Sequence, residues 1–380
     1  MPSPPPTRSA GHSAPRAGVP GPGACRGCAG VRVSVVLDLG AVPATDHFPA
    51  PGAPAEARRP LRMTQCADCA LVQLDAAAAE GREPDSVEPR ALREQAAAAV
   101  AAVAADGWLR GRTVREFASP HGGSWLGELP GLRPVADGAA DVVIDSFGIM
   151  HEPDQAAAFA ARAAATAATG VLLLQYHSLA AIVDGGQWNA LRHGHYAYYT
   201  LPVLARLLAA AGMTVTRAWR FGLYGGTVLL AAVHGAAAPD DTVRALAREE
   251  SARTGAEAVR GLGAAAERDL RTVRAWLVDE RARGRTVYAY GAASRAVAVF
   301  AAAGLDRTLL AGVADAAPAK QGRRMPGTDI PIVSPAELAG ARPDAVWLTV
   351  PDLYPEVRAA LPELDGRWVI DPADRVPAAR

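Results

Sequence analysis

The chain has 380 residues, half of them hydrophobic, which is more than a single core usually sustains, so we expect two large domains and a smaller unit. Lysine plus arginine equals aspartate plus glutamate at 39 each, so the chain lacks the basic field that nucleic acids and anionic membranes require. We therefore expect a small-molecule partner, with no nucleic-acid and no membrane partner.

The first segment, residues 1–24, is rich in proline, glycine, serine and alanine and has no apolar stretch typical of a signal peptide. We interpret it as a disordered tail. The longest stretch of low polarity, residues 95–105, is far shorter than the roughly 20 apolar residues of a membrane span. The sequence therefore predicts a soluble, cytoplasmic protein.

The cysteines form two Cys-x-x-Cys pairs within a predicted zinc-binding domain, residues 25–80: Cys25, Cys28, Cys66 and Cys69. Two tight turns of this kind can each offer two thiolates to a tetrahedral ion, and a disulfide framework is not expected in a cytosolic protein. We interpret the set as a structural Zn²⁺ site with no open coordination position. Iron in the same ligands, a redox-active pair and unliganded core thiols remain open.

A shortened Rossmann-like domain is predicted for residues 88–236. An alanine-rich helix at 88–105 precedes a short strand at 113–117 and a glycine-containing turn. Apolar runs at 141–145 and 170–175 flank an alanine-dense helix, which is typical of buried parallel strands joined by a crossover. The runs 214–221 and 227–233 surround Gly225-Gly226 and predict an antiparallel hairpin at the sheet edge.

Residues 240–380 are predicted to form connector helices and a second Rossmann-like α/β domain. The helical region ends near residue 284, and Gly255, Gly261 and Gly263 are expected to interrupt it. A strand at 286–290 then enters a small-residue turn and a helix, and the N-terminus of that helix suits a phosphate or diphosphate. Asp315, near the end of the next strand, could meet a ribose hydroxyl. A close-packed turn without a ligand fits the same spacing.

Three phrases carry a family resemblance. Two lie in the front segment: Leu-Asp-Leu-Gly at 37–40 and Cys-Ala-Asp-Cys-Ala-Leu-Val-Gln-Leu at 66–74. The third lies near the end of the chain and combines Tyr-Gly-Ala at 290–292 with Lys-Gln-Gly-Arg at 320–323. They resemble the bacterial sugar C-methyltransferases, which methylate a carbon beside the ketone of a nucleotide-linked deoxysugar. The resemblance implies three α/β parts and a sugar nucleotide held by the last one. The substrate-binding candidates are Gly291, Ala292, Ser294, Asp315 and Lys320.

The segment 187–198 resembles the catalytic segment of that family, whose usual phrase is Tyr-His-Glu-His. His193 and His195 match its histidines and the second is the family's presumed base, but Arg192 and Gly194 replace the tyrosine and the glutamate. A neutral imidazole can remove a proton beside a ketone when donors stabilise the enolate oxygen. A metal held by the two histidines is disfavoured because no acidic or thiol ligand accompanies them. The catalytic candidates are His195, His193, Arg192, Tyr198 and Tyr224.

The resemblance also implies S-adenosylmethionine as cofactor, on positions where the family writes a Ser-Asn-Asp-Gly phrase. The matching residues are Glu116, Ser119, His121, Gly122 and Gly123. Proline and histidine replace the asparagine and aspartate, and the 21 residues between Ser119 and Asp141 are too few for two further strands with their helices. One βαβ unit alone takes about 30 residues. We therefore expect binding of the cofactor to be weak or lost.

These observations leave three hypotheses for the function. The first is a C-methyltransferase-like enzyme of bacterial secondary or deoxysugar metabolism that deprotonates a nucleotide-sugar-like ketone with His195. The second is a repurposed relative that has lost the cofactor and catalyses proton abstraction as an epimerase, isomerase or eliminating enzyme. The third is a non-catalytic partner protein. A homo-oligomer is compatible with each of them.

Overall fold

The computed structural model describes residues 23–44, 48–75, 88–118 and 122–375. The predicted disordered tail lies outside these residues except for its last two positions. The front part contains β1 (Val33–Pro43), β2 (Arg58–Cys66) and β3 (Val72–Leu74). The middle part contains α1 (Arg90–Ala105), β4 (Thr113–Phe117), β5 (Arg133–Pro134), β6 (Ala140–Ser146), α2 (Gln155–Ala165), β7 (Thr166–His177), α3 (Leu179–Asp184), β8 (Ala197–Tyr198), α4 (Leu201–Ala210), β9 (Met213–Phe221) and β10 (Thr227–His234).

The last part follows with further helices and a third set of strands. It contains α5 (Asp241–Arg253), α6 (Ala256–Ala282), β11 (Val287–Tyr290), α7 (Ser294–Ala302), β12 (Val313–Ala314), β13 (Ile332–Val333), α8 (Pro335–Ala341), β14 (Ala345–Leu348), α9 (Tyr354–Ala360) and β15 (Trp368–Val369). The predicted fold class is confirmed: the chain is α/β, with a small front unit, a shortened Rossmann-like sheet and a second Rossmann-like sheet. No helix among the described residues is long and apolar enough to cross a membrane.

The first sheet has the strand order β1-β2-β3-β8 and is antiparallel throughout. Its last strand, β8, comes from the middle part of the sequence. It pairs with β3 of the front part, Val72 opposite Tyr198 and Gln73 opposite Ala197. The front unit is therefore not a separate sheet. It shares backbone hydrogen bonds with the segment that carries the predicted catalytic residues.

The central sheet has the order β5-β4-β6-β7-β10-β9, and its first four strands are parallel. The predicted strands at 113–117, 141–145 and 170–175 are confirmed, as is the antiparallel hairpin of β9 and β10. The hairpin lies at the sheet edge as predicted, since β9 is the outermost strand and between it and β7 lies β10. Its residues 228–232 are buried, and burial on both faces favours an interior position over an edge.

The link between β4 and β6 is shorter than a Rossmann crossover. Among its described residues it forms only the two-residue strand β5 and a turn of 3₁₀-helix at Leu126–Glu128. Trp125 and Leu129 are buried there against one face of the sheet, together with Ala99 and Val103 of α1. Trp125 and Leu129 cover apolar surface of the sheet that a crossover helix would otherwise cover.

The third sheet has the order β13-β12-β11-β14-β15, with all strands parallel. The predicted interruption of the preceding helical region is correct at Gly255, which caps α6, and wrong at Gly261 and Gly263, which lie inside α6. A glycine costs about 1 kcal/mol in a helix interior, and the burial of neighbours such as Val259 and Leu262 outweighs that cost. One apolar core runs through all three parts of the chain.

A buried ion pair fixes the turn that follows β6. Asp145 is 0% exposed, and its carboxylate lies 2.8 Å from Nε of Arg162 and accepts hydrogen bonds from the N–H groups of Gly148 and Ile149. Burial raises the pKa of Asp145, and the charge of Arg162 opposes that shift. The guanidinium also lies 4.1 Å from the ring centroid of Phe117. The pair thus connects β4, β6 and α2 to the turn at 149–151.

We expect Arg162→Met to lower the free energy of unfolding by about 3–5 kcal/mol, because removing one partner leaves a buried carboxylate without its counter-charge. Urea unfolding followed by circular dichroism measures the change. Arg268→Met, which removes an exposed arginine, is the matched control and should change stability by less than about 0.5 kcal/mol. Equal stabilities for the two variants would contradict the prediction.

Candidate functional site

The four cysteine sulfur atoms lie within 4.8 Å of one another. The Sγ atoms of Cys25 and Cys69 are 3.5 Å apart, and those of Cys28 and Cys66 are 3.6 Å apart. Zinc with four thiolates at about 2.3 Å places its sulfur atoms about 3.8 Å apart, so the geometry fits the ion. These closest sulfur contacts join one pair to the other, which a redox reaction within a single Cys-x-x-Cys pair does not require.

The two Cys-x-x-Cys turns have the same backbone geometry. In each, the residue after the second cysteine has a left-handed backbone, with φ of 57° at Ala29 and 65° at Ala70. Its N–H donates to the carbonyl oxygen of the first cysteine, over 2.9 Å in both turns. All four ligand positions are protein thiols, so the ion would stabilise the fold and leave no position for a substrate.

A cavity of about 440 Å³ lies where the carboxyl ends of the central and third sheets face each other. Its walls come from the start of α1, the ends of β6 and β7, the segment 190–198, and the last domain. The carboxyl ends of parallel strands are where α/β folds bind ligands. The charged lining residues are Arg90, Arg93, Arg192, Arg295 and Lys320, with Glu88, Asp315 and Glu356.

His195 lines this cavity and is 7% exposed. Its ring meets the edge of His151 with a centroid distance of 4.5 Å and an interplanar angle of 82°. Tyr198 lies 6.0 Å from His195, and its hydroxyl accepts the N–H of Arg192 at 2.9 Å. Burial raises the pKa of Tyr198, so this hydroxyl stays protonated and holds the loop closed. Arg192 itself also lines the cavity.

His193 points elsewhere. Its Nε2 lies 3.0 Å from the carbonyl oxygen of Pro60 in the front unit, and the residue is not among those that line the cavity. Among the catalytic candidates, the structure brings together His195, Arg192, Tyr198 and Tyr224 and leaves His193 outside.

Tyr224 also lines the cavity and lies in a strained turn. It has a left-handed backbone, with φ of 56°, and its N–H donates to Asp352 of the last domain at 2.9 Å. Its ring lies 6.0 Å from that of His177, and burial raises its pKa. Burial and the charge of Arg295 lower the pKa of His177 to about 3, so His177 is neutral at any working pH.

The turn after β11 forms the opposite wall. Gly291 has φ of 101°, and a Cβ there would lie 2.6 Å from Oγ1 of Thr349, so only glycine fits. Lys320 donates to the carbonyl oxygen of Ala292 at 3.0 Å and lies 3.7 Å from Asp315. Among the substrate-binding candidates, Gly291, Ser294, Asp315 and Lys320 line the cavity, whereas Ala292 is buried behind it.

Arg295 is a lining residue to which the sequence analysis gave no role. It is the second residue of α7, and its guanidinium lies 5.3 Å from the ring centroid of Tyr224. It therefore extends from the last domain to the wall that carries the catalytic candidates. An arginine at a helix start after a glycine turn was the available signal, because both features attract anions.

Among the predicted cofactor residues that the structure describes, none lines the cavity. The carboxylate of Glu116 accepts hydrogen bonds from the hydroxyl of Ser124 at 2.5 Å and the N–H of Trp125 at 2.7 Å. Ser119 and His121 lie outside the described residues. Gly122 and Gly123 are exposed, with φ of 77° and 78°, and Glu88 packs so closely on Gly123 that a Cβ there would lie 1.8 Å from its carboxylate.

The second strand of the sheet ends too early to reach the carboxyl edge. β5 pairs with β4 only as far as Val114, whereas β6 pairs with β4 up to Phe117. The chain then turns back, and the carbonyl oxygen of Gly138 accepts a hydrogen bond from Arg115. β5 therefore ends short of the edge at which the resemblance implies an acidic residue for the ribose of S-adenosylmethionine, and the next acidic residue, Asp137, lies three positions beyond it.

Comparison with known proteins agrees with this architecture. Residues 25–81 match the family model described as "Putative zinc binding domain", and residues 222–371 match "C-methyltransferase C-terminal domain". The C-methyltransferase NovU of Streptomyces niveus is 28% identical over 253 residues, which are 64% of this chain and 60% of NovU. The match thus spans less than two thirds of that relative.

Two solved methyltransferases overlap with part of the chain. An O-methyltransferase family protein from Burkholderia thailandensis is 17% identical, with a TM-score of 0.31 over 38% of this chain and 57% of the other. Magnesium protoporphyrin IX methyltransferase from Synechocystis PCC 6803 is 18% identical, with a TM-score of 0.29 over 38% of this chain and 84% of the other.

The chain is similar to a C-methyltransferase over 64% of its length. Its front part matches a zinc-binding domain and its back part a C-methyltransferase C-terminal domain, in the order that the resemblance implies.

We expect the purified chain to bind one zinc ion and the double variant Cys66→Ser, Cys69→Ser to bind none. Loss of the ion should lower the melting temperature by about 5–10 °C, as a loss of about 2–4 kcal/mol would. Elemental analysis and differential scanning calorimetry measure both effects. Val31→Ser, at an exposed position near the site, is the control. Iron in place of zinc, or an unchanged melting temperature, would contradict the assignment.

Proposed function

We propose that this methyltransferase-like enzyme binds a nucleotide-sugar-like ketone in the cavity and removes a proton from the carbon next to the ketone, with His195 as the base. One observation carries the proposal: His195 and the glycine turn of the last domain face the same cavity of about 440 Å³. That volume lies in the range of about 300–1,000 Å³ that small-molecule sites occupy.

The charge of the cavity favours an anionic ligand. Five cationic and three anionic side chains line it, a local excess of two positive charges in a chain whose net charge is zero. The turn at Gly291 opens onto the N-terminus of α7, where free N–H groups and a partial positive charge attract a diphosphate. A diphosphate seated there would direct the attached sugar towards His195.

Proton removal would proceed as follows. The imidazole of His195 takes the proton from the carbon, and the electron pair of the broken C–H bond moves onto the ketone oxygen as an enolate. Arg192 and Arg295 can stabilise that oxygen, because positive charge in a closed site acts most strongly where negative charge develops. Return of a proton from His195 restores the ketone.

The fate of the enolate distinguishes two candidate reactions. S-adenosylmethionine supplies an electrophilic methyl group when it is bound, and the similarity to a C-methyltransferase favours methylation. The early end of β5 and the engaged carboxylate of Glu116 favour proton return without methylation.

We expect the enzyme in D₂O to incorporate deuterium into a nucleoside-diphosphate ketosugar, and His195→Gln to slow this exchange by at least about 100-fold, the usual contribution of a positioned base. Proton NMR of a panel of such sugars measures the rate. His234→Gln is the control, because His234 binds the carbonyl oxygen of Thr166 at the opposite edge of the sheet. Equal rates for His195→Gln and the unaltered enzyme would refute the assignment of the base.

Titration calorimetry with S-adenosylmethionine and with S-adenosylhomocysteine distinguishes methylation of the enolate from proton return. We expect no binding at micromolar concentrations, because β5 ends short of the edge at which the ribose contact is implied. A nucleoside diphosphate titrated into the same sample is the positive control for a folded cavity. Micromolar binding of either cofactor form would instead support methyl transfer from the cofactor to the enolate carbon.

A further inference from the structure

The segment that carries His195 has little regular structure of its own. Residues 188–190 form a turn of 3₁₀-helix, and β8 is two residues long. Such a segment depends on its neighbours for order, because few of its backbone groups pair within it. The contacts that hold it therefore decide where His195 lies.

Two backbone contacts come from the zinc-binding domain. Val72 and Gln73 of β3 pair with Tyr198 and Ala197, and the N–H of Leu74 donates to the carbonyl oxygen of Tyr196 at 3.2 Å. All of these bonds come from β3, which lies on one side of the strand that follows His195. They connect it to residues only a few positions after Cys69.

Arg26, which lies between the zinc ligands Cys25 and Cys28, adds side-chain contacts to the same segment. Its guanidinium lies 4.8 Å from the ring centroid of Tyr196, the residue after His195. Its Nη1 donates to the carbonyl oxygen of Pro153 at 2.8 Å, and its Nε to that of Leu74 at 3.4 Å. The residue is 6% exposed.

The contact with Pro153 connects Arg26 to the turn that carries His151. Pro153 ends the turn that carries His151, whose ring packs against His195. The same turn accepts the N–H of Tyr196 through the carbonyl oxygen of Met150 at 2.7 Å. One guanidinium thus contacts both chain segments that set the relative position of the two histidines.

The backbone of Arg26 is fixed from the other side. Its N–H donates to Oε1 of Gln73 at 2.7 Å, and the amide of Gln73 donates to the carbonyl oxygen of Ala24 at 2.9 Å. The zinc ligands on either side hold the turn itself. The planar guanidinium, which stacks on a ring and donates in two directions, cannot be reproduced by an ammonium group.

We propose that Arg26 is a positioning residue: the metal site fixes the Cys-x-x-Cys turn, the turn fixes Arg26, and Arg26 fixes the segment that places His195 against His151. The role of His195 as a base belongs to the proposed function, whereas the ordering of its segment does not depend on it. The zinc-binding domain would then act on catalysis without touching the substrate.

The test compares Arg26→Met, Arg26→Lys and the control Arg32→Met in the full-length holoprotein. Arg32 is an exposed arginine of the same domain that pairs with Asp68 on the outside of the zinc site. The measurements are zinc content, amide hydrogen exchange of peptides covering residues 148–153 and 190–199, and deuterium incorporation into a nucleoside-diphosphate ketosugar.

We expect Arg26→Met to keep one zinc ion per chain and to raise the amide exchange rate in both peptides by at least about 10-fold. Loss of about 1.4 kcal/mol of local stabilisation corresponds to that factor. We expect kcat to fall by a larger factor than KM changes. Arg26→Lys should show a smaller effect, and Arg32→Met none. Increased exchange in an enzyme without activity would support the positioning role and count against the proposed function alone.

Three results would overturn the proposal. Exchange in Arg26→Met equal to that of the unaltered protein would mean that the segment is ordered without Arg26. Loss of zinc from Arg26→Met would mean that the residue serves the metal site and not the segment. Equal effects of Arg26→Met and Arg32→Met would likewise assign the change to the domain as a whole.

Discussion

The pairing of β3 with β8 is the contact on which the rest of the site depends. It joins a domain organised by four cysteines to the strand that carries Tyr198. The same small domain also contacts the opposite wall of the cavity, because Lys320 lies 5.0 Å from the ring centroid of Phe48 and Arg324 donates its N–H to the carbonyl oxygen of Pro49. The zinc-binding domain therefore contacts both walls of the cavity, and none of its described residues lines the cavity.

Much of the fold could be predicted because its signals are local. Apolar runs of strand length identified β6 and β7, and counting residues between Ser119 and Asp141 was enough to show that two further strands with their helices could not fit. The predicted helix breaks at Gly261 and Gly263 were wrong. A glycine lowers helix propensity by about 1 kcal/mol, but the burial of its neighbours, which the local sequence does not reveal, outweighs that cost.

The site could be predicted only in part because its geometry is made by distant contacts. Two-residue strands such as β8 have no periodicity to detect, and the pairing with β3 joins positions more than a hundred residues apart. His193 and His195 are equivalent in the sequence phrase, yet one turns to Pro60 and the other to the cavity. Arg295 and Tyr224 come together only when the last domain folds against the central sheet.

The dependence between metal and catalytic segment also works in the other direction. The zinc-binding domain has three strands of its own, one of only three residues, and so small a unit buries too little apolar surface to fold alone. It relies on the ion for one part of its stability and on β8 for another. Thermodynamic linkage requires that whatever orders the segment around His195 also tightens the hold on the metal, by the same free energy with which the metal orders the segment. If Arg26 orders the segment as proposed, a structural ion outside the cavity is coupled to the ligand inside it.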